Sequence, residues 1–137
     1  MKGCSLGLSE AATLALHAAI FIANAESGHA TSREMAAALA VSEAHLSKVL
    51  GRLTKAGLLH STRGPSGGFS LARAREEITL LDVYEATEGP FQSPSCLWAT
   101  PHCDRIGCLL GELMHSVNAQ IYDFLSKTTL AHPGLAF

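Results

Sequence analysis

The spacing of apolar positions changes several times along the chain, and each change marks an element boundary. Residues 9–26 predict a first helix. Ser9 is placed as its N-cap, and the run AATLALHAAIFIA is apolar on nearly every side, so the helix is expected to be buried. Gly28 closes the region. A second helix is expected from Thr31, where Thr31 and Glu34 have capping-box spacing and Met35, Ala36 and Leu39 form the inward stripe. A tight turn, AVS, leads to Ser42 as the cap of a third helix, with Val41 and Leu46 spaced as a hydrophobic staple. Leu46, Val49, Leu50 and Leu53 share one face of that helix, while His45, Ser47, Lys48 and Arg52 fall mostly on the other. Gly57 stops it as a C′ residue.

Past Gly57 the pattern shortens. LLHSTR and GFSLA read as two strands, joined by GPSGG, whose glycines can reach positive φ. A helix–turn–helix followed by such a hairpin is a winged helix. A fourth helix is expected over 80–88, capped by Thr79 with Asp82 completing the box, and ended by Gly89 and Pro90. Residues 90–107 hold three prolines and show no period, which predicts a long irregular loop. The last helix is expected from Leu109 to Ser126. Its stripe of Leu110, Leu113, Met114, Val117, Ile121, Phe124 and Leu125 is longer than a small core can cover, which predicts a dimerisation helix packed against the first helix. The fold class expected is mainly α: a winged helix–turn–helix with a small two-stranded wing and a long C-terminal dimerisation helix. The organisation expected is 1–89 for the winged domain, 90–108 for a cysteine-containing loop and 109–137 for the dimerisation helix and tail.

Composition narrows the class. A chain of 137 residues that is 47% hydrophobic has enough apolar mass for one folded domain. No stretch is long and apolar enough to span a bilayer, and MKGCSLGLSEA lacks the layout of a signal peptide, so a cytoplasmic protein is expected. The net charge of −2 matters less than its distribution. Lys48, Arg52, Lys55, Arg63, Arg73 and Arg75 form a block without an acid, whereas 76–88 carries five acids and no base. The basic block lies on the third helix and the hairpin, where a phosphate backbone would be met. Ser42, His45, Ser47, Lys48 and Arg52 are the expected contacts from the recognition helix, since such helices read bases from their first turns. Arg63 at the hairpin tip suits a minor-groove or phosphate contact, and Gly64, Gly67 and Gly68 let the wing backbone approach a duplex. No Ser/His/Asp or Cys/His/Asn arrangement and no glycine-rich phosphate loop is present, so an enzyme is not expected.

Three of the four cysteines, Cys96, Cys103 and Cys108, sit within the stretch CLWATPHCDRIGC. Thiolates are soft ligands suited to zinc or an iron–sulfur cluster. Zinc ribbons use Cys-x-x-Cys knuckles, which are missing here, so the wider spacing favours a cluster. Four ligands are normally needed. His102 and Asp104 are local candidates for the fourth. Cys4 reads as a bystander near the terminus, and Trp98 as a residue that shields the loop or packs beneath it.

The segment SEAHLSKVLGRLTKAGLLHSTRGPSGGFSLAR, with EEITLLDVYEATEG after it, resembles the IscR/NsrR-type regulators of the Rrf2 family, and the likeness runs from the first helix to the last. It implies a bacterial winged-helix homodimer that binds operator DNA, with Ser42, His45, Ser47, Lys48 and Arg63 matching the family's contact regions. The basic N-terminal arm usual there is reduced to Lys2. The resemblance also implies a 2Fe–2S or 4Fe–4S cluster on Cys96, Cys103 and Cys108. A histidine that one branch places three residues after the last cysteine is replaced by Gly111. Other branches draw the remaining ligand from the first helix of the partner subunit, which makes His17 the first candidate and Glu10 the second. The function expected is a transcriptional regulator, of repressor type, whose operator affinity is switched by the cluster in response to redox state, nitric oxide or iron–sulfur status. The alternative is a cluster-free regulator answering to a metabolite or a partner protein.

Overall fold

The computed structural model describes residues 8–93, Cys96 and 107–135. Helix α1 (Glu10–Asn24) starts where the Ser9 hydroxyl accepts the Ala12 N–H at 3.0 Å. It buries Ala12, Leu14, Ala15, Leu16, Ala18, Ala19 and Ile22. It ends two residues before the expected boundary because Ala25 turns to extended backbone. Strand β1 (His29–Ala30) follows, then α2 (Ser32–Leu39) and α3 (Glu43–Lys55). The Thr31 capping box is complete: its hydroxyl accepts the Glu34 N–H, and its own N–H donates to the Glu34 carboxylate at 2.8 Å. The Thr31 N–H, and after it the Thr31 hydroxyl, which also donates to the carboxylate at 2.9 Å, hold the Glu34 carboxyl below its ordinary range. The turn into α3 runs through Ala40, which adopts left-handed backbone at φ 53 and ψ 44 while its N–H closes the end of α2. Ser42 caps α3 by accepting the His45 N–H at 3.1 Å.

The wing holds β2 (Leu59–Thr62) and β3 (Gly68–Leu71), but the sheet has three strands rather than the two expected. Strand β1 adds to the free edge of β3 in an antiparallel β1-β3-β2 order, with His29 opposite Ser70 and Ala30 opposite Phe69. A two-residue strand is too short to show a period in sequence, and its pairing partner lies far along the chain. Leu59 and Ala30 point into the core, while His60 and Ser70 are paired across the other face.

Helix α4 (Leu80–Glu88) is capped by Thr79 and Asp82 as expected, and α5 (Leu109–Lys127) begins at the expected residue. The chain after α5 then turns back. Leu80 N–H donates to Thr128 O and Leu130 N–H to Ile78 O, both at 2.9 Å, so the tail pairs with the segment that enters α4. Leu125 and Leu130 thereby join a core centred on Ile22, Met35, Leu46, Leu50, Leu53, Ile78 and Val83.

Two substitutions test this architecture. Ala40→Gly removes the cost of a left-handed Cβ and is expected to stabilise the fold by about 0.5–1 kcal/mol in urea denaturation. Gly68→Ala is expected to act oppositely, because its Cβ would stand 2.6 Å from His29 Nε2 and 2.7 Å from Ala30 O. A loss of about 1–3 kcal/mol is expected. Adding His29→Ala should recover only part of it, since the Ala30 carbonyl stays in place; full recovery would show that the strand packing is misread.

Candidate nucleic-acid interface and cysteine loop

Helix α3 sets out its residues by period. Leu46, Val49, Leu50 and Leu53 are buried, which leaves Ala44, Lys48, Gly51 and Lys55 along the opposite, exposed side. Ser47 is exposed beside them. The two flanks are tied to neighbours. On one, Glu43 Oε1 accepts from Ser32 Oγ at 2.7 Å and fixes α3 to α2. On the other, His45 Nδ1 lies 3.9 Å from Glu10 Oε1, and Arg52 Nη1 donates to Thr87 O at 3.3 Å. Arg52 therefore meets the carbonyl end of α4, where a cation complements the helix dipole and where α4 has no basic residue of its own. Ser42 spends its hydroxyl on the cap. Of the residues expected to meet DNA from this helix, Ser47 and Lys48 are the ones whose side chains make no hydrogen bond or ion pair among the described residues. Lys55 belongs to the expected basic block but not to those helix contacts. Its signal was available, because it lies seven residues after Lys48, two helical turns along the same face.

The wing brings Arg63 to the tip of the hairpin, exposed, with Gly64 at φ 103 behind it. Gly67 N–H closes the turn on Gly64 O at 2.9 Å. The turn is tight enough that a Cβ on Gly67 would stand 2.5 Å from Thr62 O. Among the described residues, none of Lys48, Lys55, Arg63 and Arg73 has a carboxylate within ion-pair distance, while Arg75 pairs with Glu76. The surface that α3 and the wing share is thus basic and uncompensated, which suits a polyanion.

Cys96 and Cys108 are free thiols, both half-buried. Cys108 occupies the N-cap of α5 without making a side-chain capping bond. Cys103, His102, Asp104, Trp98, Cys4 and Lys2 lie outside the described residues. His17 is on α1, where Nδ1 meets the Thr13 carbonyl at 2.7 Å. A carbonyl only accepts, so Nδ1 donates this hydrogen bond, which fixes the orientation of the ring on the helix. His17 borders two cavities. One, of about 230 Å³, lies toward the helix–turn–helix and is also lined by Glu10, Leu39 and Val41. The other, of about 410 Å³, lies between α1 and α5 and is lined by Leu16, Ile20, Ile121 and Phe124. Glu10 borders only the first and faces His45. Among the described residues no three His, Cys, Asp or Glu side chains are grouped closely enough to hold a metal. The donor types fit a cluster, but the described residues of one chain do not assemble four of them.

Comparison with known proteins agrees with this geometry. The family model Rrf2, described as an iron-dependent transcriptional regulator, matches residues 8–132. Protein aau3 of Rhizobium meliloti is 46% identical over 77 residues, covering 55% of this chain and 50% of that protein. The regulator IscR of Photobacterium profundum is 31% identical over 90 residues, covering 66% and 52%. The matches therefore span about half the length of these relatives. The structure of CymR, the global cysteine regulator of Bacillus subtilis, superposes with a TM-score of 0.73 at 27% identity, covering 90% of this chain and 92% of that one. No described helix is long and apolar enough to cross a membrane. By the extent of the family match, together with the winged helix that carries it, this chain belongs to the Rrf2 family, whose members are transcriptional regulators and not enzymes.

Proposed function

We propose that the chain is a homodimeric DNA-binding regulator whose operator affinity depends on an iron–sulfur cluster held by Cys96, Cys103 and Cys108, with the partner subunit's His17 as the remaining ligand. The observation that carries the DNA reading is the uncompensated basic surface of α3 and the wing. Ser47 and Lys48 act as major-groove contacts, with Arg63, Gly67 and Gly68 bringing the wing to the backbone. Ser42 caps the recognition helix and Arg52 ties it to α4, while His45 stands 3.9 Å from Glu10. The dimer reading rests on α5, where only Asn118 and Leu125 are buried and Leu109, Leu110, Leu113, Tyr122 and Phe124 stay exposed, Leu109 at 78%. A second copy would cover that stripe and the apolar cavity beside it.

The cluster reading is supported by two free thiols at the ends of the loop and by the Nδ1-anchored His17. A bound cluster supplies a group sensitive to oxidants and nitric oxide. The chain's part is mechanical. His17 lies on the helix that packs against the recognition helix, between a cavity on that side and one on the α5 side. Tying it to the loop of the other subunit would link the dimer seam to the spacing of the two recognition helices, which must sit about 34 Å apart on DNA. Glu10 is the second candidate ligand. A cluster-free regulator is the second reading, favoured by the likeness to CymR, which is described as a cysteine regulator.

Anaerobically purified protein is expected to show visible absorbance with bound iron and sulfide, lost in Cys108→Ala and reduced in His17→Ala. Colourless, iron-free wild type that still binds its promoter would instead establish the cluster-free regulator. Arg63→Ala is expected to weaken operator binding about tenfold and to lower the salt dependence by about one counterion. An unchanged salt slope would remove Arg63 from the phosphate contacts.

A further inference from the structure

Gly51 is out of place on an otherwise well-formed helix. It lies in the middle of α3, three residues after Lys48 and four before Lys55, and all three are exposed. Glycine is the poorest interior helix residue after proline. Among the described residues nothing requires it, because a Cβ at this position meets no atom of another residue within 4 Å and the backbone is not left-handed. The buried stripe of α3 lies on the opposite side. What the missing side chain does is open the face that Lys48 and Lys55 make basic. Neither lysine has a carboxylate partner among the described residues.

What fits a strip of bare helix backbone between two ammonium groups is an anionic strand at close range. Place along the helix decides which part of a duplex that is. Base edges are read from the first turns of a recognition helix, around Ser47 and Lys48 here, whereas Gly51 opens the third turn, where the helix passes the groove wall. We propose that Gly51, bracketed by Lys48 and Lys55, is where the recognition helix closes on the sugar–phosphate backbone. The glycine is a positioning residue that sets affinity and not sequence choice. A side chain at 51 holds helix and strand apart and lengthens both lysine contacts. The inference rests on the DNA-binding reading above.

The test compares full-length wild type, Gly51→Ala and Gly51→Gln by thermal melting and by anisotropy on two duplexes. One is the tightest binder selected from a random pool and the other a random-sequence duplex. The alanine variant is expected to melt a few degrees higher and yet to bind both duplexes about tenfold more weakly, with glutamine weaker still. Better folding with worse binding is a combination that a purely structural role cannot produce. Wild-type affinity of Gly51→Ala for both duplexes overturns the inference and leaves the DNA-binding reading intact. A loss confined to the selected duplex also overturns it, since the third turn would then be reading bases. Wild type that binds neither duplex overturns both readings.

Discussion

Burial of α1 is the constraint on which the rest of the structure depends. Its inward face is built from alanines as much as from Leu14, Leu16 and Ile22, and small side chains allow close approach of whatever packs there. The recognition helix α3, the acidic helix α4 and the wing strand β3 all do so. Truncating one fully buried aliphatic residue in such a core removes about 2–5 kcal/mol, against a total stability of about 5–15 kcal/mol. The same helix therefore supports the helix proposed to meet DNA and the element that leads to the cysteine loop.

That shared support gives the regulatory reading a physical basis. The last turn of α4 is joined to α1 by the short Ser9–Glu88 hydrogen bond and to the recognition helix by Arg52 and the Thr87 carbonyl. Glu85 then accepts the Phe91 N–H at 2.9 Å, and the Phe91 ring lies between Tyr84 of α4 and Tyr122 of α5. The chain entering the cysteine loop is thus gripped by both helices that flank it. Burial pushes the Tyr84 hydroxyl above its ordinary range, helped by the negative charges of Glu88 and Glu85 beside it. From the start of the loop, Phe91 leads to α4, and Arg52 joins α4 to α3.

Helix α5 has the opposite character. Its end enters the core through Leu125, with Ile121 packed against that core, and the tail after it pairs with the entry to α4, but Leu110, Leu113 and Phe124 of its apolar stripe stay exposed. The tail returns further, to Asn24, whose side-chain amide donates to Leu135 O at 2.9 Å. The C-terminal part is therefore anchored at one end and open along its length, as expected of a helix completed by a second chain.

Local chemistry is what the sequence determined unaided. The caps at Ser9, Thr31, Ser42 and Thr79 depend on residues three apart, and period alone separates the core stripe of α3 from its solvent side, so these elements and their inward residues follow from the residues themselves. The Lys48–Lys55 spacing and the glycine turn of the wing belong to the same kind of information. Tertiary structure decided what depends on contacts between distant segments. Strand β1 exists only because β3 offers an edge, and the tail pairs with residues 78–80 only because α5 delivers it there. That Arg52 meets the Thr87 carbonyl, and that His45 stands 3.9 Å from Glu10, is likewise invisible in the local sequence. A helical period fixes which way a side chain points, but the neighbour standing there is supplied by chain reversal over tens of residues, and nothing local encodes it.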